Sequence, residues 1–297
     1  MSTIYCLGSL SADISIEVDR FPSKGEQVKG YNLFTIPGGR AQNQAIAAKY
    51  YGADVKLLGA VGDDLYGKGI IENLKRFNLP ITNIKIIKGS ASGIKFVAKH
   101  NSETETIINS SAADQIFEED VDSFLDDAKE GDILLTQLEL SLPVIKYAIK
   151  LANDKNMSVI LNPTPATEDA IPLLPNINYV ISNKNDLNVL TGIMEIEKAS
   201  NYLKSLNTIV TLGEDGVYFV DEDVKFPAIT PEKAVDTDAA GDIFIGSFAS
   251  LISQGIKPIE AVDFARGAAS LSCLDAGGIL SIKEKNEVLK AIGREEL

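Results

Sequence analysis

The chain of 297 residues contains no tryptophan, one histidine and two cysteines. A zinc site built from cysteine and histidine needs about four ligands, which these three residues cannot supply. Any Ser-His-Asp triad would have to use His100, but this residue lies in an alternating segment, 95–100, and is expected to be an exposed strand residue. Cys6 and Cys273 lie among apolar and small residues, so we expect buried, reduced thiols.

Long apolar runs and an excess of basic residues are also missing. No run of about 18 apolar residues exists, which excludes a membrane-spanning helix, and no signal peptide is evident, so we expect a cytoplasmic protein. The 42 acidic residues exceed the 28 basic ones, giving a net charge of −14. Because affinity for nucleic-acid backbones comes mainly from clustered Lys and Arg, this balance argues against a nucleic-acid partner. A small phosphorylated ligand needs only a local site.

The hydrophobic pattern changes near residue 115. Beyond it, short apolar strands alternate with helices, near 143–154 and 196–205 for example, which predicts a mostly parallel sheet covered on both faces. Two earlier segments, near 11–36 and 93–110, alternate apolar with polar residues and do not fit such a sheet. We therefore predict a single three-layer α/β/α domain over residues 1–297, with a small β-sheet lid that includes a hairpin around Asn101 and Ser102.

The segment 236–244 carries the sharpest chemical pattern. Apolar residues at helical spacing follow it, so its small residues lie at a helix N-terminus, where free backbone N–H groups and the helix dipole favour an anion. Asp242 in the first turn would stand beside that anion, placed as a general base for a hydroxyl that attacks a phosphoryl group. The alternative is an ordinary helix start with acidic residues in its first turn.

A second segment, 37–45, places Gly38 and Gly39 before an alanine-rich helix. Glycines there permit unusual backbone angles and close approach of a ligand. Arg40 and Asn43 could offer hydrogen-bond donors to a polyol. A glycine-rich turn that enters a packed helix explains the same pattern without a ligand.

Two further segments follow predicted strands. The spaced glycines of 211–217 suit the nucleotide edge of an open α/β sheet, or a simple hairpin turn. The amides and carboxylate of 183–186 could hold a hydrated Mg²⁺, or cap the next helix. Segment 62–69 nearly matches a P-loop, but Gly69 stands where the Ser or Thr hydroxyl is needed, and Asp63 and Asp64 would repel phosphate.

Together, segments 38–45 and 236–242 resemble the ribokinase-type (PfkB) carbohydrate kinases, and the resemblance runs nearly end to end. It implies a three-layer α/β domain whose β lid covers a sugar, and transfer of the γ-phosphoryl group of ATP to a sugar hydroxyl with Mg²⁺. A monovalent cation, K⁺ in our prediction, and a homodimer formed through the lid follow from the same resemblance. The other matching segments are 59–64, 137–139, 162–166, 183–186 and 211–216.

The resemblance assigns residues to four groups. Asp242 is the base, and Ala239, Ala240 and Gly241 complete the anion hole with it. The sugar side comprises Ser11, Asp13, Gly39, Arg40, Asn43, Glu139 and Asp242. The nucleotide side comprises Asn183, Thr211, Gly213, Glu214, Asp215, Gly216, Gly241 and Arg266. The metal group comprises Asp186, which would hold Mg²⁺ through water, and a monovalent-cation set of Asp236, Asp238, Ser272, Asp275, Gly277 and Ser281, several of which would contribute only backbone carbonyls.

The chain departs from the ribokinase pattern in the sugar segments and the metal segment. It has Ser11 where ribokinases usually have Asn, Arg40 where they have Lys, Ala41 where they have Gly, and Asp186 where the family has Glu. The predicted function is phosphorylation of a primary hydroxyl of a small furanose by ATP. Ribose is the first choice because the residues at 13, 43 and 139 match; fructose or another ketose is the second. A sugar-binding protein without catalysis is the alternative from another class.

Overall fold

The computed structural model describes residues 1–101, 103–109, 111–203, 207–229 and 234–297, with the backbone alone at 200 and 201. The strands are β1 (Thr3–Leu7), β2 (Ser11–Val18), β3 (Gly30–Gly38), β4 (Asp54–Gly62), β5 (Ile84–Ile87), β6 (Gly93–His100), β7 (Glu103–Asn109), β8 (Ile133–Gln137), β9 (Ser158–Asn162), β10 (Tyr179–Asn183), β11 (Thr208–Thr211), β12 (Val217–Phe219) and β13 (Val224–Phe226). The helices are α1 (Arg40–Tyr50), α2 (Leu65–Arg76), α3 (Glu118–Phe124), α4 (Leu142–Asp154), α5 (Lys184–Thr191), α6 (Ile196–Tyr202), α7 (Ala240–Ser253), α8 (Pro258–Ser272) and α9 (Lys285–Ala291).

The main sheet of the described chain has nine strands in the order β13-β12-β11-β10-β9-β8-β1-β4-β5. Its pairings are parallel from β11 to β5, and only β12 and β13 are antiparallel. Successive side chains of a strand point to opposite faces. On β1, Ile4 and Cys6 join a core with α1, α7 and α8, whereas Tyr5 and Leu7 join a core with α3 and α4. The predicted three-layer α/β/α architecture is thereby confirmed.

The predicted lid is a separate four-stranded sheet in the order β3-β2-β6-β7. Strands β2 and β6 pair in parallel, and β3 and β7 flank them antiparallel. The hairpin joins β6 to β7, with His100 opposite Glu103; Ser102 of the predicted turn lies outside the described residues. Residues 8–10 connect β1 to the lid, and Gly39 alone separates β3 from α1. The lid is therefore joined to the main sheet beside the carboxyl end of β1.

Helices α1 and α7 pack closely because the facing residues are small. Ala41, Ala45 and Ala48 of α1 are fully buried. A Cβ on Gly246 of α7 would lie 2.3 Å from the Gln44 carbonyl oxygen and 2.6 Å from Ala47 Cβ. This close approach fixes the start of α7 beside the start of α1.

Some expectations from the sequence need correction. His100 is half-buried, not exposed, because its Nδ1 lies 3.0 Å from the Val18 carbonyl oxygen. The helix predicted near 196–205 is observed over Ile196–Tyr202, and residues 204 and 205 of the prediction lie outside the described residues. Among the described residues both cysteines are free thiols, Cys6 buried and Cys273 only partly so. No helix in the described ranges has the length and apolar composition needed to cross a membrane.

Candidate active site

Helix α7 begins near the junction between the lid and the main sheet, and its N-terminus faces a cavity. Ala239 precedes it in the left-handed region, with φ of 62°, and its carbonyl accepts the N–H of Ile243. The first-turn N–H groups of a helix have no intrahelical partner, so they can bind an anion. A Cβ on Gly241 would meet no atom within 4 Å, which leaves open space beside these groups.

The Asp242 carboxylate is held by two amide side chains of α1. Asn43 Nδ2 donates to Oδ2 at 3.1 Å, and Gln44 Nε2 donates to Oδ1 at 2.9 Å. Both amides stand at the start of α1 because Gly39, with φ of 97°, turns the chain there; a Cβ on it would lie 2.7 Å from the Ser9 carbonyl oxygen. Asp242 is only 7% exposed. The predicted base therefore has a fixed orientation.

A chain of buried polar side chains runs from Asp242 across the edge of the sheet. Gln137 Nε2 donates to Gln44 Oε1 at 2.7 Å, and Gln44 Nε2 lies 3.4 Å from Asn162 Oδ1. Asn162 Nδ2 in turn donates to Thr164 Oγ1 at 3.0 Å. The Thr164 hydroxyl then donates to the carboxylate of Asp186, which connects the predicted base to the predicted metal residue.

Arg40 and Glu139 form an ion pair at the floor of the cavity. Arg40 Nε donates to Glu139 Oε1 at 3.1 Å, and the Ser9 hydroxyl donates to the other oxygen. The Glu139 side chain is 7% exposed, and this burial raises the pKa of its carboxyl although Arg40 opposes the rise. Burial disfavours the charged form of Arg40, but the carboxylates of Asp242 and Glu139 outweigh it and raise the guanidinium pKa.

The lid contributes a second ion-pair group on the opposite wall. Asp13 of β2 accepts hydrogen bonds from the Ser11 hydroxyl at 2.8 Å and from Lys95 Nζ of β6 at 3.3 Å. Lys95 Nζ also lies 3.6 Å from Asp238 Oδ1. Burial raises the pKa of the Asp13 carboxyl, and the Lys95 ammonium offsets part of that rise. For Asp238 burial acts in the same sense, but Lys95 and Lys99 outweigh it and lower its pKa.

These groups enclose a cavity of about 230 Å³. Pockets for drug-sized ligands have volumes of roughly 300–1,000 Å³, so this cavity suits a small polar molecule. Asn43 Oδ1 is buried and has no hydrogen-bond partner among the described residues. Because buried acceptors are almost always paired, a ligand hydroxyl is the natural partner for this oxygen. The predicted sugar-side residues Ser11, Asp13, Gly39, Arg40, Asn43, Glu139 and Asp242 all line the cavity, with Ala239 and Gly241.

The predicted nucleotide residues gather elsewhere, at the carboxyl ends of β10 and β11. Asn183 and Thr211 are register neighbours there. Gly213 to Asp215 form a 3₁₀ turn inside a β11–β12 hairpin, so the hairpin alternative is correct and leaves the nucleotide prediction open. Lys184 Nζ pairs with Asp215 at 2.8 Å, while Glu214 is exposed. None of these residues lines the cavity in the described part of the chain.

Arg266 lies on α8 and is bound within the protein. Its guanidinium donates to Asp263 Oδ1 at 2.8 and 2.7 Å and to the Pro227 carbonyl at 2.6 Å. A Cβ on Gly216 would lie 2.0 Å from the Phe226 carbonyl oxygen, so the strand that Arg266 supports is packed against the predicted nucleotide loop. A direct nucleotide contact by Arg266 stays a prediction.

Asp186 occupies the first turn of α5. Its N–H donates to Asn183 Oδ1 at 2.8 Å, so Asn183 caps the helix as the alternative interpretation proposed. Its Oδ2 accepts from Asn183 Nδ2 at 2.7 Å and from Thr164, whereas Oδ1 has one longer contact, 3.3 Å from the Ala166 N–H. One oxygen thus keeps capacity for a water, which fits a water-mediated metal contact.

The two predicted cation loops meet through Asp236. Its Oδ2 accepts the N–H groups of Gly277, at 3.1 Å, and Gly278, and its Oδ1 accepts the N–H of Asp238 at 3.1 Å. The other predicted side chains bond locally: the Ser272 hydroxyl donates to the Ala269 carbonyl, Asp275 pairs with Lys283, and the Ser281 hydroxyl donates to the Gly278 carbonyl. The described residues contain no cluster of three or more His, Cys, Asp or Glu side chains suited to a metal ion.

The sequence patterns missed several residues of the site. The alternating pattern indicates only that Lys95 belongs to a lid strand, and no sequence pattern points to Ser9. Gln44, Gln137 and Asn162 entered only through the resemblance. The one signal available for Lys95 was its spacing from Lys99, which puts both on one face of a strand.

A cavity that presents hydroxyl-binding side chains beside an anion-binding helix end, with a carboxylate between them, is the arrangement expected of a carbohydrate kinase. Residues 1–285 match the pfkB family of carbohydrate kinases. Since this match spans nearly the whole chain, the protein belongs to that family.

Individual relatives agree with the family match. The ribokinase of Bacillus subtilis is 31% identical over 291 residues, which are 97% of this chain and 98% of that protein. The deoxyribokinase of Salmonella typhimurium is 31% identical over 301 residues, 96% of this chain and 98% of that protein. The solved structure of Arabidopsis thaliana ribokinase in complex with ribose and ATP superposes with a TM-score of 0.84 at 25% identity and covers 98% of each chain.

Proposed function

We propose that the protein transfers the γ-phosphoryl group of ATP to the primary hydroxyl of ribose. The observation that carries this proposal is the Asp242 carboxylate, held by α1 at the N-terminus of α7 and facing a cavity with an unpaired acceptor on Asn43. The ribokinase relative and the ribose and ATP complex of the Arabidopsis enzyme support the choice of substrates. Because a deoxyribokinase is equally identical, 2-deoxyribose is the competing sugar.

In the proposed reaction each group of side chains has a separate task. Asp13 accepts hydrogen bonds from sugar hydroxyls, and Asn43 can accept from or donate to them. Together they place the reacting hydroxyl beside Asp242. Asp242 takes the proton as that hydroxyl attacks the γ-phosphorus, the bond from phosphorus to the β–γ bridging oxygen breaks, and ADP leaves. The N–H groups of Gly241 and Asp242 stabilise the negative charge on the transferred phosphoryl oxygens, with the dipole of α7 aligned in the same sense.

The nucleotide would lie along the ends of β10 and β11, against the turn at 213–215. Mg²⁺ belongs to this proposal as well. When bound, it would neutralise charge on the phosphates, and Asp186 would hold one of its waters through Oδ1.

Release of ADP from ATP, measured with ribose, 2-deoxyribose, fructose and no sugar, tests the proposal. We expect ribose to give the highest kcat/KM. The Asp242→Asn variant is the matched control. It replaces the carboxylate by an amide of nearly the same size and should lower kcat by roughly 10²–10⁴-fold. ADP release that does not depend on any sugar, or full turnover in folded Asp242→Asn protein, would contradict the proposal.

A monovalent cation is a further part of the proposal. The loop pair tied together by Asp236 adjoins the anion hole, and its carbonyl oxygens could hold K⁺ and fix the 239–242 backbone. We expect K⁺ to raise kcat, and Na⁺ to do so less well. Equal rates in K⁺ and tetramethylammonium chloride of the same ionic strength would exclude this role.

We also propose a homodimer formed through the outer surface of the lid. Ile14, Phe96 and Ile107 are cross-strand neighbours on one face, and Ile107 is 70% exposed. Exposed Leu33 extends the apolar surface. A second copy would cover it by the same residues. The predicted cytoplasmic location stays a prediction.

A further inference from the structure

Strand β6 of the lid carries two lysines on the face opposite the proposed dimer surface. Residues 95, 97 and 99 share this face because strand side chains alternate. Val97 is buried, and the two ammonium groups on either side of it reach carboxylates of other segments. Lys99 Nζ lies 3.2 Å from Asp238 Oδ2 and 4.0 Å from Asp236 Oδ1. Of these two lysines, Lys95 lines the cavity and Lys99 does not.

Lys95 and Asp13 form a paired donor and acceptor on one wall. They are cross-strand neighbours, and the same row continues to Ile36 on one side and Ile108 on the other. Ile36 is half-buried and Ile108 is 45% exposed, so these apolar ends shield the pair from water only in part. The Lys95 side chain is 28% exposed and that of Asp13 is 16% exposed. The pair is therefore accessible from the cavity but largely sheltered from bulk solvent.

The hydrogen-bond capacity of this pair is only partly used. Ser11 donates to one Asp13 oxygen and Lys95 to the other, so each oxygen can still accept a further hydrogen bond. An ammonium has three N–H donors. Lys95 uses one on Asp13, and the Asp238 oxygen at 3.6 Å can engage at most a second. A third donor remains for an oxygen of the ligand.

We propose that Lys95 is a specificity-determining residue of the sugar site. Its ammonium holds Asp13 in place and donates to a ring-hydroxyl oxygen whose neighbouring hydroxyl donates to Asp13. The pair thus recognises two hydroxyls on adjacent carbons, and a sugar that lacks one of them leaves a charged group unpaired. This inference rests on the proposed function, because it takes the cavity to be the sugar site.

Steady-state kinetics on ribose and 2-deoxyribose test the role of Lys95. In Lys95→Met we expect the KM for ribose to rise roughly 10–100-fold, the usual effect of losing a hydrogen bond to a charged group, while the KM for ATP stays within about twofold. The preference for ribose over 2-deoxyribose in kcat/KM should fall by about fivefold or more, because the deoxy sugar has less to lose. Lys95→Arg should restore most of the ribose affinity, since it keeps the charge and the donors.

Lys99→Met is the matched comparison. It removes an ammonium from the same strand face and from the same Asp238 carboxylate, but not from the cavity. Its ratio of ribose to 2-deoxyribose should match that of the wild type within about twofold. Three results would each overturn the proposal: an unchanged ribose KM in Lys95→Met, an equal loss for both sugars, or an equal rise in the KM for ATP.

Failure of the proposed function would look different. A wild-type enzyme that does not phosphorylate ribose refutes the ribose assignment and leaves the variants to be compared on the sugar that it does phosphorylate, against the analogue lacking one hydroxyl. A ratio that then changes in Lys95→Met but not in Lys99→Met supports the role of Lys95; a ratio unchanged in both overturns it. Circular dichroism of each variant shows whether it is folded.

Discussion

Asp242 combines two properties that usually oppose each other in a folded protein. It is nearly buried, yet it must carry a charge to accept a proton from a hydroxyl. Two neutral amides, Asn43 and Gln44, donate to the carboxylate, and the Arg40 guanidinium is close enough for the Asp242 charge to raise its pKa. The two amides fix the orientation in which the carboxylate can accept a proton, as a general base must.

Gln44 is the residue that we expect to fix this orientation. Gln44→Leu removes the donor to Asp242 Oδ1 and leaves the Gln137 amide unpaired in the core, at a cost of about 1–3 kcal/mol in unfolding free energy. A carboxylate that can rotate is badly placed for proton transfer, so kcat should fall by roughly 10–100-fold with little change in the KM for the sugar. Steady-state kinetics and urea unfolding measure the two effects.

Gln42→Leu provides the control on the same helix. The Gln42 side chain is also fully buried, but its amide atoms have no partner among the described residues. Replacing an unpaired polar group by an apolar one of similar size should leave kcat unchanged and stability equal or higher. If both variants lost kcat equally, a specific role for Gln44 would be excluded.

The raised pKa of Asp13 predicts that kcat/KM for the sugar decreases at acidic pH, as an acid limb of the pH profile. Burial raises this pKa, so the carboxylate becomes protonated, and stops accepting hydroxyl protons, at a pH above the ordinary range near ~3.9. We expect kcat/KM for the sugar to fall through this limb as the pH decreases. A raised carboxyl pKa stabilises the folded state below the unfolded pKa and loses that contribution as the pH rises, so unfolding driven by Asp13 does not explain the limb.

The measurement is a pH profile of kcat/KM for the sugar, with circular dichroism at each pH to exclude unfolding. Asp13→Asn should show no such limb, on top of a weaker sugar affinity. A wild-type limb at or below the range of an ordinary aspartate would refute this assignment.

At the scale of whole elements, the site depends on the distance between α1 and α7. Neither helix contains the whole of the base arrangement: α7 supplies Asp242, and α1 supplies the amides that hold it. Gly246 sets the separation, because a Cβ there would overlap the backbone of α1. The packing of the two helices is thus part of the catalytic geometry.

Gly246→Ala should therefore affect both stability and catalysis. Forcing the helices apart typically costs about 1–3 kcal/mol, and the same shift moves Asp242 away from Asn43 and Gln44. We expect a lower urea midpoint and a reduced kcat, measured on the same preparation.

Gly69→Ala is the corresponding control in an exposed helix interior. A Cβ on Gly69 would meet no atom within 4 Å, so this change should stabilise α2 by up to about 1 kcal/mol and leave kcat unchanged. Equal behaviour of the two alanine variants would show that the α1–α7 spacing has no special role.

The sequence predicted elements better than contacts. Strand–helix alternation beyond residue 115 was sufficient for the three layers, and the alternating segments were sufficient for the lid, because both patterns depend on burial along one chain segment. The contacts of Lys95 could not be predicted from one segment alone. The contact with Asp13, 82 positions away, depends on the pairing of β2 with β6 in the lid, and the contact with Asp238, 143 positions away, depends on how the lid lies against the main sheet. For Arg266 the resemblance predicted a contact with the nucleotide, whereas the structure shows its guanidinium bound to groups within the protein.

For the molecule as a whole, the lid has two surfaces of different composition. The inner one carries the charged pair of the cavity, and the outer one is apolar. A monomer in water would leave that apolar surface exposed at a cost that association of two copies removes.

Ile107→Asp tests the assembly. A carboxylate in the middle of the apolar surface should shift the protein to a monomer, measured by light scattering coupled to size exclusion over a range of concentrations. Ile86→Asp is the control, because Ile86 is 60% exposed but belongs to β5 of the main sheet. A wild-type protein that is monomeric throughout the range would rule out the lid dimer.

The short connection between β1 and the lid has a mechanical consequence. Residues 8–10 and Gly39 connect the lid to the main sheet and to α1, and Ser9 and Arg40, which bind Glu139, lie within or next to these connections. A ligand that contacts Ser9 and Arg40 on one side and Asp13 on the other would bridge these connections and the lid sheet. We expect the size of the bound sugar to change the angle of the lid, so that sugars differing by a single substituent should be distinguishable by the shape of the complex before any phosphate is transferred.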